Sequence, residues 1–106
     1  MITAIVRFKL PAGTTRAQVA ENMQKAAPRF QTVPGLIRKN FLYDEKAGVG
    51  GGVYTWENRA AAEKLYAEGG AWQQAIVNLY GNKPSVDIYE TPVLVDNDQG
   101  KIKVAA

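Results

Sequence analysis

The first ten residues alternate between apolar and polar side chains. Within residues 2–10 the apolar positions, with the exception of Ile5, share one parity: Ile2, Ala4, Val6, Phe8 and Leu10. A period of two that includes β-branched residues is typical of a strand that buries one face. The turn residues Pro11-Ala12-Gly13 end the pattern, so we predict a half-buried strand over residues 2–10.

The next segment has the spacing of an amphipathic helix. Thr15 and Gln18 stand in the order of a capping box, in which the hydroxyl and the amide bind backbone groups of the first turn. Apolar residues then recur at helical spacing: Val19, Met23, Ala26, Ala27 and Phe30. Pro28 removes a helical N–H and is expected to kink or shorten this helix, and Pro34-Gly35 ends it.

The middle of the chain has the pattern of a β-hairpin. We predict strands over Leu36–Tyr43 and Val49–Trp56, joined by a loop at residues 44–48. The second strand contains Gly50-Gly51-Gly52. Glycine within a strand packs no side chain and often marks a bulge or a close approach by other atoms.

Helical and extended patterns complete the chain. Asn58 can cap a helix that ends at Gly69-Gly70. A short helix is predicted over Ala71–Tyr80, with one apolar stripe formed by Trp72, Ile76 and Tyr80. Val86–Val95 is extended, and Pro92 restricts it to a sheet edge or breaks it.

The predicted order is β-α-β-β-α-(α)-β, which indicates an α+β, ferredoxin-like antiparallel sheet with helices on one face. Residues with apolar side chains are available for both faces: Ile5, Ile37, Phe41, Val53, Val86 and Ile88. A bare apolar sheet face is costly in water, so we expect a second copy of the chain to cover it in a homodimer. One domain is predicted over residues 1–96, and the tail 97–106 is either an extra strand or disordered.

Missing residue types narrow the possible chemistry. The 106 residues include no Cys and no His, which excludes disulfides, thiolate nucleophiles, histidine bases and Ser–His triads. The acidic residues lack the spacing of metal ligands, and we expect neither a metal nor a cofactor. Catalysis would therefore rest on carboxylates, amides, Tyr, Trp, Arg and Lys, or on the substrate itself.

The net charge and the hydropathy of the chain indicate whether it binds nucleic acid or a membrane. The formal net charge of +3 is scattered along the chain, without the basic stripe and stacking aromatics typical of nucleic-acid binding. No run approaches the roughly 18 apolar residues of a membrane span. The chain begins in a strand pattern and shows no signal-like segment, so we expect a cytoplasmic protein that binds neither nucleic acid nor membrane.

The segments between residues 34 and 66 carry a family resemblance. They are Pro34-Gly35-Leu36, Lys39, Phe41-Leu42-Tyr43-Asp44, Gly51-Gly52-Val53-Tyr54-Thr55-Trp56-Glu57, and Ala61-Ala62-Glu63-Lys64 followed by Tyr66. With these segments the chain resembles the dimeric α+β barrel proteins, and within them the small YdhR-type monooxygenases. The resemblance extends over about residues 2–95 and implies a homodimer whose two sheets face each other as a barrel. Each subunit would keep a cavity between its own sheet and helices.

The resemblance also implies a function. Relatives in this superfamily include monooxygenases that oxidise phenolic or anthrone-like rings with O₂ and without a cofactor. By resemblance, the chain is expected to be a cofactor-independent monooxygenase that acts on a small aromatic or enolisable substrate. The absence of histidine disfavours the haem-degrading and histidine-dependent cyclase branches. An isomerase or cyclase on the same barrel, and a non-catalytic dimer that binds a small ligand, are the alternatives.

The predicted hairpin provides candidate site residues. If Tyr43 pairs with Val49, one face of the hairpin presents the donors Arg38, Asn40, Tyr54 and Trp56 around a gap at Gly52. Such donors can orient a substrate oxygen and stabilise the negative charge that develops on it. Gly52 would leave room for a flat ring.

Four further residues are expected to line the pocket: Tyr66, Trp72, Ile76 and Tyr80. For most of the candidate site residues, a purely structural role is the alternative. Trp56 and the stripe of the last helix are also typical of a core. Arg38 is equally suited to solvent or to a dimer interface, and Asn40 to bonding nearby backbone.

Overall fold

A four-stranded antiparallel sheet forms the centre of the protein. In the computed structural model, which describes residues 1–105, the strand order is β2-β3-β1-β4. The strands are β1 (Ile2–Lys9), β2 (Leu36–Asp44), β3 (Val49–Trp56) and β4 (Ser85–Glu90). The prediction of a ferredoxin-like α+β sheet is therefore confirmed.

Three α-helices cover one face of this sheet. They are α1 (Arg16–Ala26), α2 (Arg59–Leu65) and α3 (Ala71–Tyr80), and a 3₁₀ turn, Ala27–Phe30, extends α1. The buried parity of β1 packs beneath them together with Tyr54 and Trp56 from β3. No helix among residues 1–105 has both the length and the hydropathy that crossing a membrane would need.

Local sequence signals determine the helix starts as predicted, whereas α2 ends at Leu65, ahead of the stop predicted at Gly69-Gly70. Thr15 and Gln18 form both bonds of the capping box at the start of α1. Pro28 lies in the 3₁₀ turn, where the α-helical hydrogen bonding stops. Asn58 caps α2 by accepting the backbone N–H of Ala61 at 2.9 Å. Each of these signals acts over only a few residues, so the sequence alone is enough to predict it.

The predicted register between β2 and β3 is wrong by one residue. Asp44, not Tyr43, pairs with Val49, so Lys39 lies opposite Tyr54 and Asn40 lies opposite Val53. The turn explains the difference. The Asp44 carboxylate accepts the backbone N–H of Ala47 at 3.0 Å, and Gly48 adopts a left-handed φ of 67°, which shortens the loop by one residue.

A bulge shifts the register again at the start of β2. Leu36 pairs with Trp56 as predicted, but the next pair is Arg38 with Thr55. With the register shifted by one residue, each side chain of β2 from Arg38 onward lies on the face opposite to the predicted one. Arg38 and Asn40 consequently lie on the face opposite to Tyr54 and Trp56. The predicted arrangement of these four side chains on one face is therefore wrong.

The C-terminal segment forms a separate hairpin. The extended segment predicted over Val86–Val95 is interrupted at Pro92, where β4 ends and β5 (Val93–Asp96) begins. β6 (Lys101–Val104) pairs antiparallel with β5, from Val93 opposite Val104 to Asp96 opposite Lys101. Ala106, the last residue of the predicted tail, lies outside the described residues.

Candidate functional site

A cavity of about 300 Å³ lies between the sheet and the helices. This volume is at the lower end of the range typical of small-molecule sites. Strands β2 and β3, helices α1 and α3, and the 3₁₀ turn all contribute side chains to its wall. The wall includes Phe30, Phe41, Tyr54, Trp72, Ile76 and Tyr80. Aromatic and aliphatic groups dominate, so the cavity suits a flat apolar molecule.

Two tyrosine hydroxyls at this end of the core are paired with indole nitrogens. The Trp72 Nε1–H donates to the Tyr54 hydroxyl at 3.3 Å, and the Trp56 Nε1–H donates to the Tyr66 hydroxyl at 3.1 Å. The rings also meet edge to face, with centroids 4.9 Å apart for Tyr66 and Trp72. The two hydrogen bonds and the ring contacts join four large side chains into one aromatic cluster. It consists of Tyr54, Trp56, Tyr66 and Trp72.

Burial reinforces the neutral state of both hydroxyls. Desolvation raises the pKa of Tyr54 and of Tyr66 well above the ordinary tyrosine value, and the indole donors oppose this shift only in part. Both groups therefore remain protonated in the physiological range. Because each oxygen accepts an indole N–H, each hydroxyl keeps its own proton available for donation. Tyr54, which lines the cavity, can donate a hydrogen bond to a ligand oxygen.

Gly52 makes room beneath the cavity wall. A Cβ atom at this position would lie 3.0 Å from Tyr54 Cε1 and 3.3 Å from Lys39 Cε. Both distances are tighter than ordinary van der Waals contact. The close approach expected from the glycine run therefore occurs here, and the atoms that approach belong to the protein itself, including the backbone oxygen of Asn40 at 3.1 Å.

Lys39 is the charged cavity residue with the most unusual surroundings, and it is among the lining residues that the sequence analysis missed. Its Nζ lies 3.4 Å from the ring centroid of Phe30, 3.9 Å from that of Phe41 and 4.5 Å from that of Tyr54. Burial lowers the pKa of Lys39 to about 7. The ring faces act in the opposite direction because they attract the ammonium form. The corrected register was the missing signal, since it places Lys39 and Phe41 on the inward parity of β2.

The cavity has an electropositive character. Arg29 and Lys39 both line it, together with the amide of Asn22, and the described lining includes no Asp or Glu. No ion pair among residues 1–105 involves Lys39. Acidic side chains in the same range also form no group of three that could hold a metal ion. The arrangement suits a ligand that carries negative charge, or acquires it, on an otherwise apolar frame.

The structure brings some of the predicted site residues together at the cavity. Tyr54, Trp72, Ile76 and Tyr80 line it directly. Tyr66 and Trp56 belong to the aromatic cluster without lining the cavity. Trp56 is completely buried, and its N–H is used by Tyr66.

Arg38 and Asn40 lie away from this cavity, on the outer face of the sheet. Arg38 donates to the Asp96 carboxylate at 3.0 Å, which attaches the C-terminal hairpin to β2. The Asp96 carboxylate is buried, and its pKa is lowered first by the backbone N–H of Gln99 and then by Arg38. Arg38 therefore has a structural partner in this chain.

Comparison with protein families gives one match over most of the chain. The profile of the family described as "Putative mono-oxygenase ydhR" matches residues 5–90. This segment includes β2, β3 and β4, the second half of β1 and every residue of the cavity wall named above. No curated protein matches the chain closely enough to count as a relative.

Solved structures share the fold at low sequence identity. A protein of unknown function from Nitrosomonas europaea superposes with a TM-score of 0.65 at 18% identity, over 85% of this chain and 87% of its own. A "putative antibiotic biosynthesis monooxygenase" from Deinococcus radiodurans gives 0.64 at 18% identity, over 86% and 92%. One of the same description from Bordetella bronchiseptica gives 0.65 at 17% identity, over 85% and 95%. At such identities these likenesses concern the fold alone.

Proposed function

The chain belongs to the ydhR mono-oxygenase family, and from this premise we propose that it is a cofactor-independent monooxygenase. Its substrate is a small aromatic or enolisable molecule, and O₂ is the oxidant. The observation that carries the proposal is the aromatic cavity with its donor and cations. Within it, the Tyr54 hydroxyl and the Lys39 nitrogen, which lies 4.5 Å from the Tyr54 ring centroid, border the same space.

The substrate supplies the electrons in this reaction. An anthrone-type ring carries a CH₂ carbon that becomes a carbonyl, while one oxygen atom of O₂ enters that carbonyl and the other leaves as water. Every electron that O₂ accepts comes from the carbon that is oxidised, so no external reductant is needed. The difficult species is the electron-rich anion of the ring. A site that stabilises this anion speeds the reaction by favouring the form that O₂ attacks.

The side chains of the cavity divide this work. Tyr54 donates a hydrogen bond to the substrate oxygen, and the positive charge near it favours the anion. Trp72, Ile76 and Tyr80 hold the ring flat and exclude water. Tyr66 and Trp56 act through the aromatic cluster, in which they keep Tyr54 and Trp72 in place. The proposal needs no substrate contact from Arg38 or Asn40.

Oxygen consumption tests this proposal. Anthrone and a panel of phenols are mixed in air with the purified protein, without flavin or metal, and O₂ uptake and quinone formation are followed together. Replacing the donor in Y54F is expected to lower the rate by about 100-fold, the usual effect of losing one donor to a developing oxyanion. Y89F, on an exposed tyrosine of the outer face, is the matched control and should keep the wild-type rate.

Absence of O₂ uptake across the whole panel would contradict the oxygenase proposal. Turnover that is as fast under argon as in air would instead indicate an isomerase. Binding without any turnover would indicate a ligand-binding protein.

The same proposal includes a homodimer in the cytoplasm. The outer face of the sheet exposes Leu42 and Tyr89, and the β5–β6 hairpin exposes Val93, Val95, Ile102 and Val104. A second sheet laid on this face would remove these apolar groups from water. Sedimentation equilibrium is expected to give twice the chain mass, and L42D to weaken the association. A wild-type monomer at every concentration would contradict the dimer.

A further inference from the structure

Lys39 differs chemically from the other polar groups of the cavity. Its amine borders the space that a ligand would fill, and three aromatic rings surround it in place of a counter-ion. Rings attract an ammonium group but do not neutralise its charge. An ammonium formed at this position therefore favours an anion beside it, and the cavity is the space in which that anion can lie.

The other titratable groups that face the cavity cannot accept a proton near neutral pH. Arg29, from the 3₁₀ turn, presents only N–H donors. Tyr54 and Tyr80 are protonated near neutral pH, as an ordinary tyrosine is, and burial raises the pKa of each hydroxyl further. Asn22, from α1, does not titrate. Burial lowers the pKa of Lys39 to about 7, so a substantial fraction of its amine is neutral at physiological pH.

We propose that Lys39 Nζ is the proton acceptor of this site. Its neutral amine takes the proton from the acidic hydroxyl of a phenolic or enolic substrate, and the ammonium formed then holds the resulting oxyanion. The O–H bond breaks, an N–H bond forms, and the electron pair stays on the substrate oxygen. The step needs no oxidant and precedes the arrival of O₂. This inference rests on the proposed function, because it specifies the substrate class of the same cavity.

The position of Lys39 fits this role. Tyr54 lies directly across from it in the β2–β3 ladder, and both side chains point to the helix-covered side of the sheet. A substrate oxygen between them could give its proton to the amine and accept the tyrosine hydrogen bond. The flat ring would then extend toward Trp72 and Ile76, which line the same cavity. The base and the donor thus approach one oxygen from two strands.

The test uses para-cyanophenol under argon, at a pH between the pKa of Lys39 and that of the free phenol. The absorption band of the phenolate reports deprotonation, and calorimetry in buffers of different ionisation enthalpy counts the protons released. Wild-type protein is expected to show the phenolate band without net proton release, since the proton moves to Lys39. K39R should show the band with release of a proton, because its guanidinium is already charged.

K39M should bind the probe without a phenolate band. K25M, at an exposed lysine of α1, is the matched control and should behave as wild type. Near-ultraviolet circular dichroism confirms that each variant is folded. A phenolate band of wild-type intensity in K39M overturns the proposal. Wild-type protein that binds only the neutral phenol, or does not bind the probe, also overturns it.

The conditions separate this inference from the oxygenase proposal. Deprotonation is measured without O₂, so a Lys39-dependent band combined with no O₂ uptake in air overturns the oxygenase and leaves the base in place. O₂ uptake that is unchanged in K39M has the opposite meaning. It supports the oxygenase and removes Lys39 as its base.

Discussion

Strand β2 carries two adjacent cations on its two sides, and they have opposite surroundings. Arg38 points to the outer face, where its side chain is 46% exposed and paired with Asp96. Lys39 points to the helix-covered face, where it meets three rings and pairs with no carboxylate of residues 1–105. Two adjacent residues of one strand thus place one cation in an ion pair and the other among aromatic rings.

The two faces of the sheet differ in whether a cation has a partner of opposite charge. On the outer face, charge is neutralised within the chain, so Arg38 contributes to holding the C-terminal hairpin. On the inner face, charge is left uncompensated beside a cavity, which costs stability unless the amine is neutral or a ligand supplies an anion. Uncompensated charge at a built cavity is typical of functional sites and unusual in a core.

The largest effect is expected from the aromatic core of the inner face. Trp56→Ala removes a completely buried ring and its bond to Tyr66, and should lower the free energy of unfolding by about 3–5 kcal/mol. Leu42→Ala on the outer face should cost about 1 kcal/mol at concentrations low enough to dissociate the proposed homodimer, because that side chain is 39% exposed in the single chain. Urea unfolding of both variants measures the difference. Equal losses would show that the outer face is buried in the folded protein, as it would be in a tight dimer.

An intermediate effect is expected from the uncompensated amine itself. Burial lowers the pKa of Lys39 from 10.5 to about 7, so in this range the unfolded chain binds more protons than the folded one. The resulting penalty is complete below about pH 7 and disappears as the pH rises toward the unfolded value. Lys39→Met should therefore stabilise the protein at about pH 6, by on the order of 2 kcal/mol, and much less at about pH 10.

Urea unfolding at the two pH values measures this dependence, and Lys25→Met is the control without it. A gain from Lys39→Met that is the same at both pH values would show that the amine is not destabilised by burial. The result would then reflect only the packing of the methionine side chain.

The smallest effect is expected from the outer cation. Arg38→Gln removes one partner of Asp96, but the backbone N–H of Gln99, the main cause of the lowered carboxyl pKa, remains. A carboxylate with a lowered pKa stabilises the fold above its ordinary pKa, and this contribution is lost on acidification. The variant should thus shift the urea midpoint slightly at neutral pH, and the shift should vanish in about 1 M salt. A large shift that is insensitive to salt would show that Arg38 also packs as part of the fold.

The succession of strands and helices along the chain could be predicted, and so could the face of β1 that is buried, because both depend on local patterns. Alternation in residues 2–10 fixes which parity is buried, and the caps at Thr15 and Asn58 fix where helices begin. Helical spacing places Trp72, Ile76 and Tyr80 on one apolar stripe of α3, and all three line the cavity.

The register of β2 could not be predicted in the same way. It depends on a side-chain bond from Asp44 in the turn and on a bulge near Ile37, and neither has a unique sequence signal. A slip of one residue exchanges the two faces, so it put Arg38 and Asn40 in the predicted site and left Lys39 out. The setting of Lys39 also needs Phe30 from the 3₁₀ turn, which is a tertiary contact.

The aromatic cluster gives the protein a built-in optical reporter. The sequence has two tryptophans, and both belong to this cluster, with one of them on the cavity wall. Emission from the whole chain thus originates beside the place where a ligand would bind. A flat, light-absorbing guest should quench it by energy transfer, so occupancy can be followed in the unlabelled protein.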